Sequence, residues 1–535
     1  MDILNDLDII ANKMKRTIFW LIFFASCNVF AQHNVEKLSY HPIKTDAQGS
    51  ILPWFDNDPG KSYDHIIRLV WNFWDTMRTD LNGLPYHMNH QVWRKDHNDS
   101  RGIGGDQFSM VLSSWKLLYA YTGNERVLDN MKFITDYYLS HSLSGEGCKW
   151  KNLPYPYNTL VYSGIYDGDM IMGKWYTQPD KAGSFGFELI NMYKLTGKTV
   201  YLDAAIDIAN TLSEKMVPGD NDHSPLPFRV NAITGKTGVM NEGTPSEITY
   251  SYTSNWTPTM NLFSGLITLG KGDTGNYQKS FQILLDWMKH YPLKTNKWGP
   301  FFEDVGSWSD TQTNAITFAR YILENQEQFP DWEESVKHIF DWVYKELGNP
   351  KWDKYGVAVV NEQTSYRVPG NSHTARQGAA ELFYASKTGD SAAKEKGIRQ
   401  LNWATYMVKD DGESTYPNNE TWMTDGYGDF VRHYLRAMEA FPELAPAQQN
   451  HLVSSTSVIK RISYDVKTIQ YDTFDKQSVE LLRLKSKPKT VNINEAQLRE
   501  SDLSGKNEYW EWKALVQGGI LKIAHQNSGK ITIQF

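Results

Sequence analysis

The chain reads as a mostly α protein: about a dozen helices paired into hairpins and closed as an (α/α)6 toroid, followed by a small antiparallel β domain. Three observations predict this. Apolar residues recur at helical spacing from about residue 62 to 440. Short Thr-Gly turns join successive apolar stripes. Beyond about residue 455 the apolar period drops to two.

The stripes can be taken in order. Residues 62–80 put Ile66, Ile67, Val70, Trp71, Trp74 and Met77 on one face. Residues 107–121 do the same with Phe108, Val111, Leu112, Trp115 and Tyr119. Further stripes fall at 125–142, 183–196, 199–216, 258–270, 275–290, 310–327, 331–347, 372–386, 391–408 and 426–440. The turns Thr122-Gly123-Asn124, Thr196-Gly197-Lys198 and Thr388-Gly389-Asp390 supply the left-handed glycine that ends one helix just before the next begins. An open solenoid needs a short, uniform repeat, whereas the intervening loops here are long and irregular. A closed double ring tolerates such loops at one rim, where a pocket forms. The toroid is expected over 61–450, with Pro442, Pro446 and Gln448-Gln449-Asn450 marking its end. A β-sandwich-like domain is expected over 455–535, from strand-like stretches at 468–471, 479–484, 491–493, 510–515, 519–525 and 531–535.

The N-terminus predicts export. Lys15 and Arg16 precede the apolar run from Ile18 to Ala25, and Ala31 is a suitable cleavage residue, so 1–31 reads as a signal peptide. Met14 is an alternative initiator, because the thirteen residues before it are unlike an n-region. A lipoprotein signal with a lipid anchor at Cys27 is the competing reading, and Phe24 fits it imperfectly. The run is too short to span a bilayer. The expected location is the periplasm or cell surface, and residues 32–60 form a polar, extended lead. Cleavage leaves Cys148 as the single cysteine, which excludes an internal disulfide.

Composition narrows the partners. A net charge of −7 offers no surplus of cations for nucleic acid. Aromatic residues make up 13 % of the chain, which suits stacking on sugar faces. HExxH, paired CxxC, GxxxxGK[ST] and GxSxG are absent, so metal-dependent hydrolysis, nucleotide chemistry and serine hydrolysis lose weight, and no metal or cofactor is expected.

Five loop clusters hold groups that a core does not need. Tyr86 to His90 contributes His87 and His90 as substrate contacts. In Arg101 to Gln107, Asp106 stands where a helix starts, as an N-cap or an acid/base. Tyr162 to Asp169, with Trp175 beyond, offers Asp167 and Asp169 to sugar hydroxyls and Trp175 to a sugar face. Phe301 to Asp310 offers Trp308, and Asp310 reads as a helix cap. The richest cluster gathers Tyr366, Arg367, Asn371, His373 and Arg376 at a helix entrance. Arginine binds carboxylates bidentately, and a neighbouring His or Tyr moves protons near neutral pH. His373 and Tyr366 are therefore the expected catalytic pair with Asp106, and Arg367, Arg376 and Asn371 the expected substrate binders. A last cluster around Asp429, Arg432 and His433 is expected to contact substrate at the final hairpin.

The Thr-Gly turns, Gly104-Gly105-Asp106-Gln107 at a helix start and Trp308-Ser309-Asp310 before another resemble the six-hairpin glycosidase superfamily over roughly residues 60–440. Within it, the unsaturated glucuronyl and rhamnogalacturonyl hydrolases are the nearest. That resemblance implies an acid/base role for Asp106. The β domain departs from those compact hydrolases; an exported toroid with such an appendage also resembles polysaccharide lyases and the oligosaccharide dehydratase of ulvan-degradation systems. The expected substrate is a uronic-acid-ended oligosaccharide, and the expected reaction is elimination across C4–C5, as a dehydratase or a lyase. The lean follows from a His/Tyr/Arg/Asn cluster richer than any pair of acids. Hydrolysis releasing an unsaturated uronic acid is the alternative, and a surface glycan-binding protein the second. Sugar epimerisation on a similar toroid is weighed against by the export signal.

Overall fold

The computed structural model describes residues 36–80, 82–88, 105–160, 163–302, 305–370, 372–417, 427–501, 508–527 and 529–535. The expected signal peptide and Cys27 lie outside the described residues.

Among the described residues twelve long helices follow one another: α1 (Pro59–Asp75), α2 (Gly105–Thr122), α3 (Glu125–Ser142), α4 (Pro179–Thr196), α5 (Thr199–Lys215), α6 (Thr257–Leu269), α7 (Thr274–His290), α8 (Gln312–Glu324), α9 (Trp332–Leu347), α10 (His373–Thr388), α11 (Ser391–Thr405) and α12 (Tyr427–Ala440). Each even-numbered helix touches its even-numbered neighbours, and α12 returns to lie against α2, so six helices close an inner ring. The odd-numbered helices pack outside it, α1 against α12 and the others against the helix before them. This is the (α/α)6 toroid.

Local chemistry sets the helix ends. α4 starts at Pro179, ahead of the expected position, because proline suits the first helical turn. α1 stops at Asp75 with Thr76 as its cap, short of the expected residue 80. Gly197 and Gly389 end α4 and α10 in left-handed conformations, at φ 76° and 78°. Asp310 departs from expectation: its carboxylate accepts from the Trp298 and Gly299 amides, both at 2.8 Å, and Thr311 occupies the cap position of α8. α10 and α11 approach closely because both present glycine. A methyl on Gly378 would lie 2.8 Å from the Gly397 carbonyl oxygen.

The two ends of the ring differ. The Thr-Gly turns lie where the even helices end, and the long loops lie where they begin. The lead straps the outside of the ring near the end of α11. Its Trp54 indole donates to the Thr405 carbonyl at 2.7 Å, and His41 stacks on Trp54 while donating to the Val408 carbonyl.

The C-terminal strands are β1 (His451–Ser455), β2 (Ile459–Tyr464), β3 (Thr468–Thr473), β4 (Ser478–Leu484), β5 (Thr490–Ile493), β6 (Ala496–Gln497), β7 (Tyr509–Ala514), β8 (Gly519–His525) and β9 (Lys530–Gln534). They form two antiparallel sheets, ordered β1-β4-β8-β7 and β2-β3-β9-β5-β6. Alternate residues such as Ile469, Tyr471, Leu482, Leu521, Ile523, Ile531 and Ile533 are buried, as a half-solvated strand requires. Across the gap Tyr471 donates to Glu480 at 3.2 Å. β1 and β2, which the apolar pattern did not mark, carry the junction with the toroid.

That junction lies on the Thr-Gly side. His451 stacks on Tyr121 with ring centroids 3.8 Å apart and donates to its carbonyl at 2.8 Å. The Tyr464 hydroxyl donates to the Ala120 carbonyl at 2.5 Å and accepts from the Leu452 amide at 2.9 Å. The sheets therefore pack against the ends of α2, α4 and α12 on that side of the ring, opposite the long-loop rim. Among the described residues no helix is long and apolar enough to cross a membrane.

Tyr464→Phe removes both bonds of that hydroxyl and leaves the Ala120 carbonyl without its partner, at a cost of about 1–3 kcal/mol. Calorimetry of the variant is expected to show a lowered or split unfolding transition. An unchanged profile would mean that the junction does not couple the two parts.

Candidate active site

The six inner helices surround an axial cavity of about 130 Å3. Because they run in the same direction from the rim, position along a helix reports depth. Lys181, Asn255, Thr257 and Thr313 line the upper part, and Arg320, Glu324 and Arg436 the lower part. On α12, Asp429, Arg432, His433 and Arg436 occupy i, i+3, i+4 and i+7, a single stripe facing inward.

Asp429 organises the wall. It is buried and pairs with the Arg376 and Arg432 guanidiniums. The His433 Nε2 lies 3.2 Å from its Oδ1, in poor hydrogen-bond alignment. Burial opposes ionisation of Asp429, but Arg376, Arg432 and His433 hold it well below the usual carboxylate range. Arg376 is also anchored by Gln312 Oε1 at 2.8 Å and Thr313 Oγ1 at 2.9 Å.

Two imidazoles flank this pair. Burial lowers His433 to about 3, against the pull of Asp429. Burial, reinforced by Arg376, pushes His373 well below its ordinary value. Both are neutral at physiological pH, and both His373 ring nitrogens lack a hydrogen-bond partner among the described residues. His433 lines the cavity, while His373, the first residue of α10, sits beside it with the Phe302 ring 5.8 Å away. Gly370 backs His373: a methyl there would lie 2.4 Å from its Nδ1 and 3.2 Å from the Tyr416 hydroxyl. That phenol donates to Glu362 at 2.8 Å.

Of the expected site residues, His373 and Arg376 meet here, joined by Asp429, Arg432 and His433 from the last cluster. Arg376 is a positioning group, since its guanidinium is already held by three side chains. Arg367 is exposed and donates to the Glu346 carbonyl at 2.6 Å, which keeps it from acting with Arg376. Tyr366 is half-buried in the loop before α10. Asp169 is fully buried against Arg229 at 3.0 Å and caps the Ile171 and Met172 amides, so it holds a loop together instead of meeting sugar hydroxyls. Asp167 binds Thr159 and Lys174. His87 is buried on Trp74, with ring centroids 4.1 Å apart, where burial lowers it to about 3. Trp175 and Trp308 are 43 % and 45 % exposed on rim loops, where Lys174 lies over Trp175 and Lys297 over Trp308. His90, Asn371 and the Asp106 side chain lie outside the described residues.

Sequence reasoning missed Tyr416 with Glu362, Arg320 with Arg436, and the buried Asp180–Lys181 pair at 3.4 Å. Lys181 donates to the Phe301 carbonyl at 2.8 Å and sits 3.2 Å from the centre of the Phe301 ring. The available signal was charge on the inward stripes of inner helices, which a sequence pattern reads as a solvent face.

No family model matches the chain, and no curated protein matches it. Among solved structures it is similar to cellobiose 2-epimerase from Spirochaeta thermophila, at 12 % identity over 71 % of this chain and 96 % of that one, with a TM-score of 0.52. A D-mannose isomerase matches at 12 % identity over 70 % of this chain and 98 % of that one, with a TM-score of 0.50. An unsaturated glucuronyl hydrolase specific for heparin matches at 11 % identity over 73 % of this chain and 98 % of that one, with a TM-score of 0.40. At these identities the likeness is one of fold. The (α/α)6 toroid expected from the helical hairpins is shared with these neighbours, whose own names are those of carbohydrate-processing enzymes.

The buried histidines make stability depend on pH. His433 and His87, lowered to about 3, and His451, lowered to about 4, stay neutral in the fold while the unfolded chain takes up protons near pH 6.5. Stability therefore falls as the pH drops below 6.5, by up to roughly 1.4 kcal/mol per pH unit for each such histidine. His525, raised beside Glu480, acts in the opposite sense: its contribution is present below pH 6.5 and is lost as the pH rises through its folded value. Equilibrium denaturation at pH 6.5 and 5.0 is expected to show a net loss, reduced in His433→Gln. Equal stabilities at the two pH values would contradict it.

Proposed function

We propose that the protein is an exported carbohydrate-active carbon-oxygen lyase acting on uronic-acid-ended oligosaccharides from an acidic, ulvan-like glycan. The observation that carries this reading is the pair of neutral, buried imidazoles, His433 and His373, set against the Asp429–Arg376 ion pair at the cavity wall. A neutral imidazole is the form able to take a carbon-bound proton.

In the proposed step His433 takes the C5 proton of the uronate. The electrons of that bond form the C4=C5 double bond, and the C4 oxygen leaves. The imidazolium returns its proton to the departing oxygen, so a terminal uronate loses water. Asp429 lies close enough to stabilise the transient positive charge. A cavity of about 130 Å3 entered from the long-loop rim accepts a terminal sugar more readily than a polymer passing through, which favours the dehydratase over a lyase acting within chains. Trp175 and Trp308 would stack on the sugars that follow.

Hydrolysis has less support, because Asp167 and Asp169 are engaged in holding their loop. Epimerisation is the reading that two imidazoles also favour, since proton removal and return on opposite faces uses two bases.

Purified full-length protein mixed with saturated uronate-ended oligosaccharides is expected to raise the C4=C5 absorbance, with the mass of one water lost. His433→Ala and His373→Ala are each expected to lower kcat by about 10²–10⁴-fold, while Asp106→Asn retains turnover. A falling absorbance on unsaturated substrates, abolished by Asp106→Asn, would make the hydrolase correct. Proton exchange from solvent into the sugar without any absorbance change would make the epimerase correct.

Activity should also report the lowered imidazoles. Because the base is neutral down to about 3, kcat/KM is expected to stay flat from pH 7 to pH 5. An acid limb centred near 6.5 would place the base elsewhere.

A further inference from the structure

Charge is divided unevenly along the chain. Residues 451–535 carry thirteen Lys and Arg against nine Asp and Glu, a net charge of +4 within a chain of −7, so the 450 residues before them carry −11. The surplus of the β domain gathers at one end. Thr468 and Thr490 both pair with Gln534, so Lys467 and Lys489 flank Phe535 on either side, roughly 10 Å apart across three strands. In the other sheet Leu484 and Ala514 both pair with Gly519, which brings Lys485 and Lys513 to the same end. The loop Lys485-Ser486-Lys487-Pro488-Lys489 crosses there from β4 to β5. All five lysines are exposed. Lys487 pairs with Glu500 at 2.6 Å and Lys489 donates to the Phe535 carbonyl at 2.9 Å, whereas Lys467, Lys485 and Lys513 form no ion pair among the described residues. Asp465, two residues before Lys467, is the other acid beside them. Beneath lies Arg483, faced by Glu443 and Asp58 of the toroid, whose guanidinium donates to the Leu484, Gln517 and Gly519 carbonyls and fixes the two neighbouring loops. At the opposite end Lys460, Lys476, Lys530 and Arg461 stand among Asp472, Asp475, Glu495 and Glu508, so charge there is balanced.

We propose that this lysine end of the β domain is a second glycan site, which holds an internal stretch of an acidic polysaccharide while the toroid acts on chain ends. The choice of an acidic glycan rests on the reading above. A toroid of net charge −11 repels such a polymer, and the β domain supplies the attraction. Screening confines charge effects to about 8 Å at physiological ionic strength, so a local cluster counts for more than the total. Lysine suits this ligand: a point charge on a flexible stem meets sulfates or carboxylates along a polymer without demanding one fixed geometry. Two hairpin tips rise at the same end with fully exposed valines, Val466 and Val516. Neither tip carries a Trp or Tyr such as a membrane-seeking surface uses, which favours a polymer over a lipid surface.

Affinity electrophoresis of the full-length protein tests it, with dextran sulfate, polygalacturonate or neutral dextran cast in the gel. Both polyanions are expected to retard the protein, less so as salt rises, and neutral dextran to leave it unaffected. Lys467→Gln/Lys485→Gln/Lys513→Gln removes the three lysines without ion pairs, so the fold is spared, and should raise the Kd for the polyanions at least about tenfold. Lys460→Gln/Lys476→Gln/Lys530→Gln removes the same charge at the opposite end and should leave the Kd within about twofold. No retardation by either polyanion, equal retardation by neutral dextran, or the same loss in both triple variants would overturn the proposal. Phosphatidylglycerol vesicles that bind more tightly than either polyanion, and lose the protein in Val466→Ser/Val516→Ser, would make this end a membrane surface and overturn the glycan assignment. The two readings fail separately. Polyanion binding at the lysine end with no change in C4=C5 absorbance sinks the elimination and spares the site; rising absorbance without polyanion binding does the reverse.

Discussion

Ring closure is the constraint on which the rest depends: α12 has to lie against α2, more than three hundred residues earlier in the chain. Once it does, the inner helices have neighbours on both sides and an outer helix behind. Only one narrow stripe of each remains for the axis. That stripe is enclosed, so its charged groups have to be paired or answered by a ligand. The Asp429 carboxylate, held by Arg376 from α10 and Arg432 from its own helix, ties α12 to its inner neighbour at the level where the two imidazoles sit. The same ion pair thus supports the wall of the ring and places the groups with chemical potential.

The two ends of the toroid divide the labour. Tight turns at one end leave short helix termini, and the β sheets pack on those of α2, α4 and α12, with His451 and Tyr464 bonded to Tyr121 and Ala120. Long loops at the other end bring Trp175, Trp308, Phe301 and Phe302 to the rim. The cavity is entered from the long-loop rim, and its cations are held by Asp180, Glu324, Asp429 and Glu439. Burial keeps the histidines neutral in the same enclosure where Glu324 and Glu439 partly offset the burial of Arg436. Burial acts in the same sense on both, disfavouring the protonated imidazole and the guanidinium charge alike; it keeps the histidines unprotonated while weakening them as bases.

The helices were legible because each buries one face against a partner, and burial imposes a 3.6-residue period that any apolar count detects. Their ends were legible where Gly or Pro sets the backbone, as at Gly197, Gly389 and Pro179. The cluster around His373 was legible as an excess of polar chemistry beside a helix start. Its grouping was not. Arg367 and Arg376 are nine residues apart, yet one faces the outside and the other the axis. Asp169 looked like a sugar ligand because its partner, Arg229, lies sixty residues on in another loop.

The sequence by itself determined the hairpin architecture, the β appendage and the residue types available for proton transfer, since these follow from local periodicity and composition. Only the tertiary structure decided which of those residues share a cavity. Closing the ring turns the inward stripe of α12 into the wall of an enclosed site, and in sequence that stripe is indistinguishable from a face in contact with water. His433 and Asp429 gain their importance from that enclosure, because an imidazole without a hydrogen-bond partner or a carboxylate held by two guanidiniums has little consequence in solvent and a large one away from it.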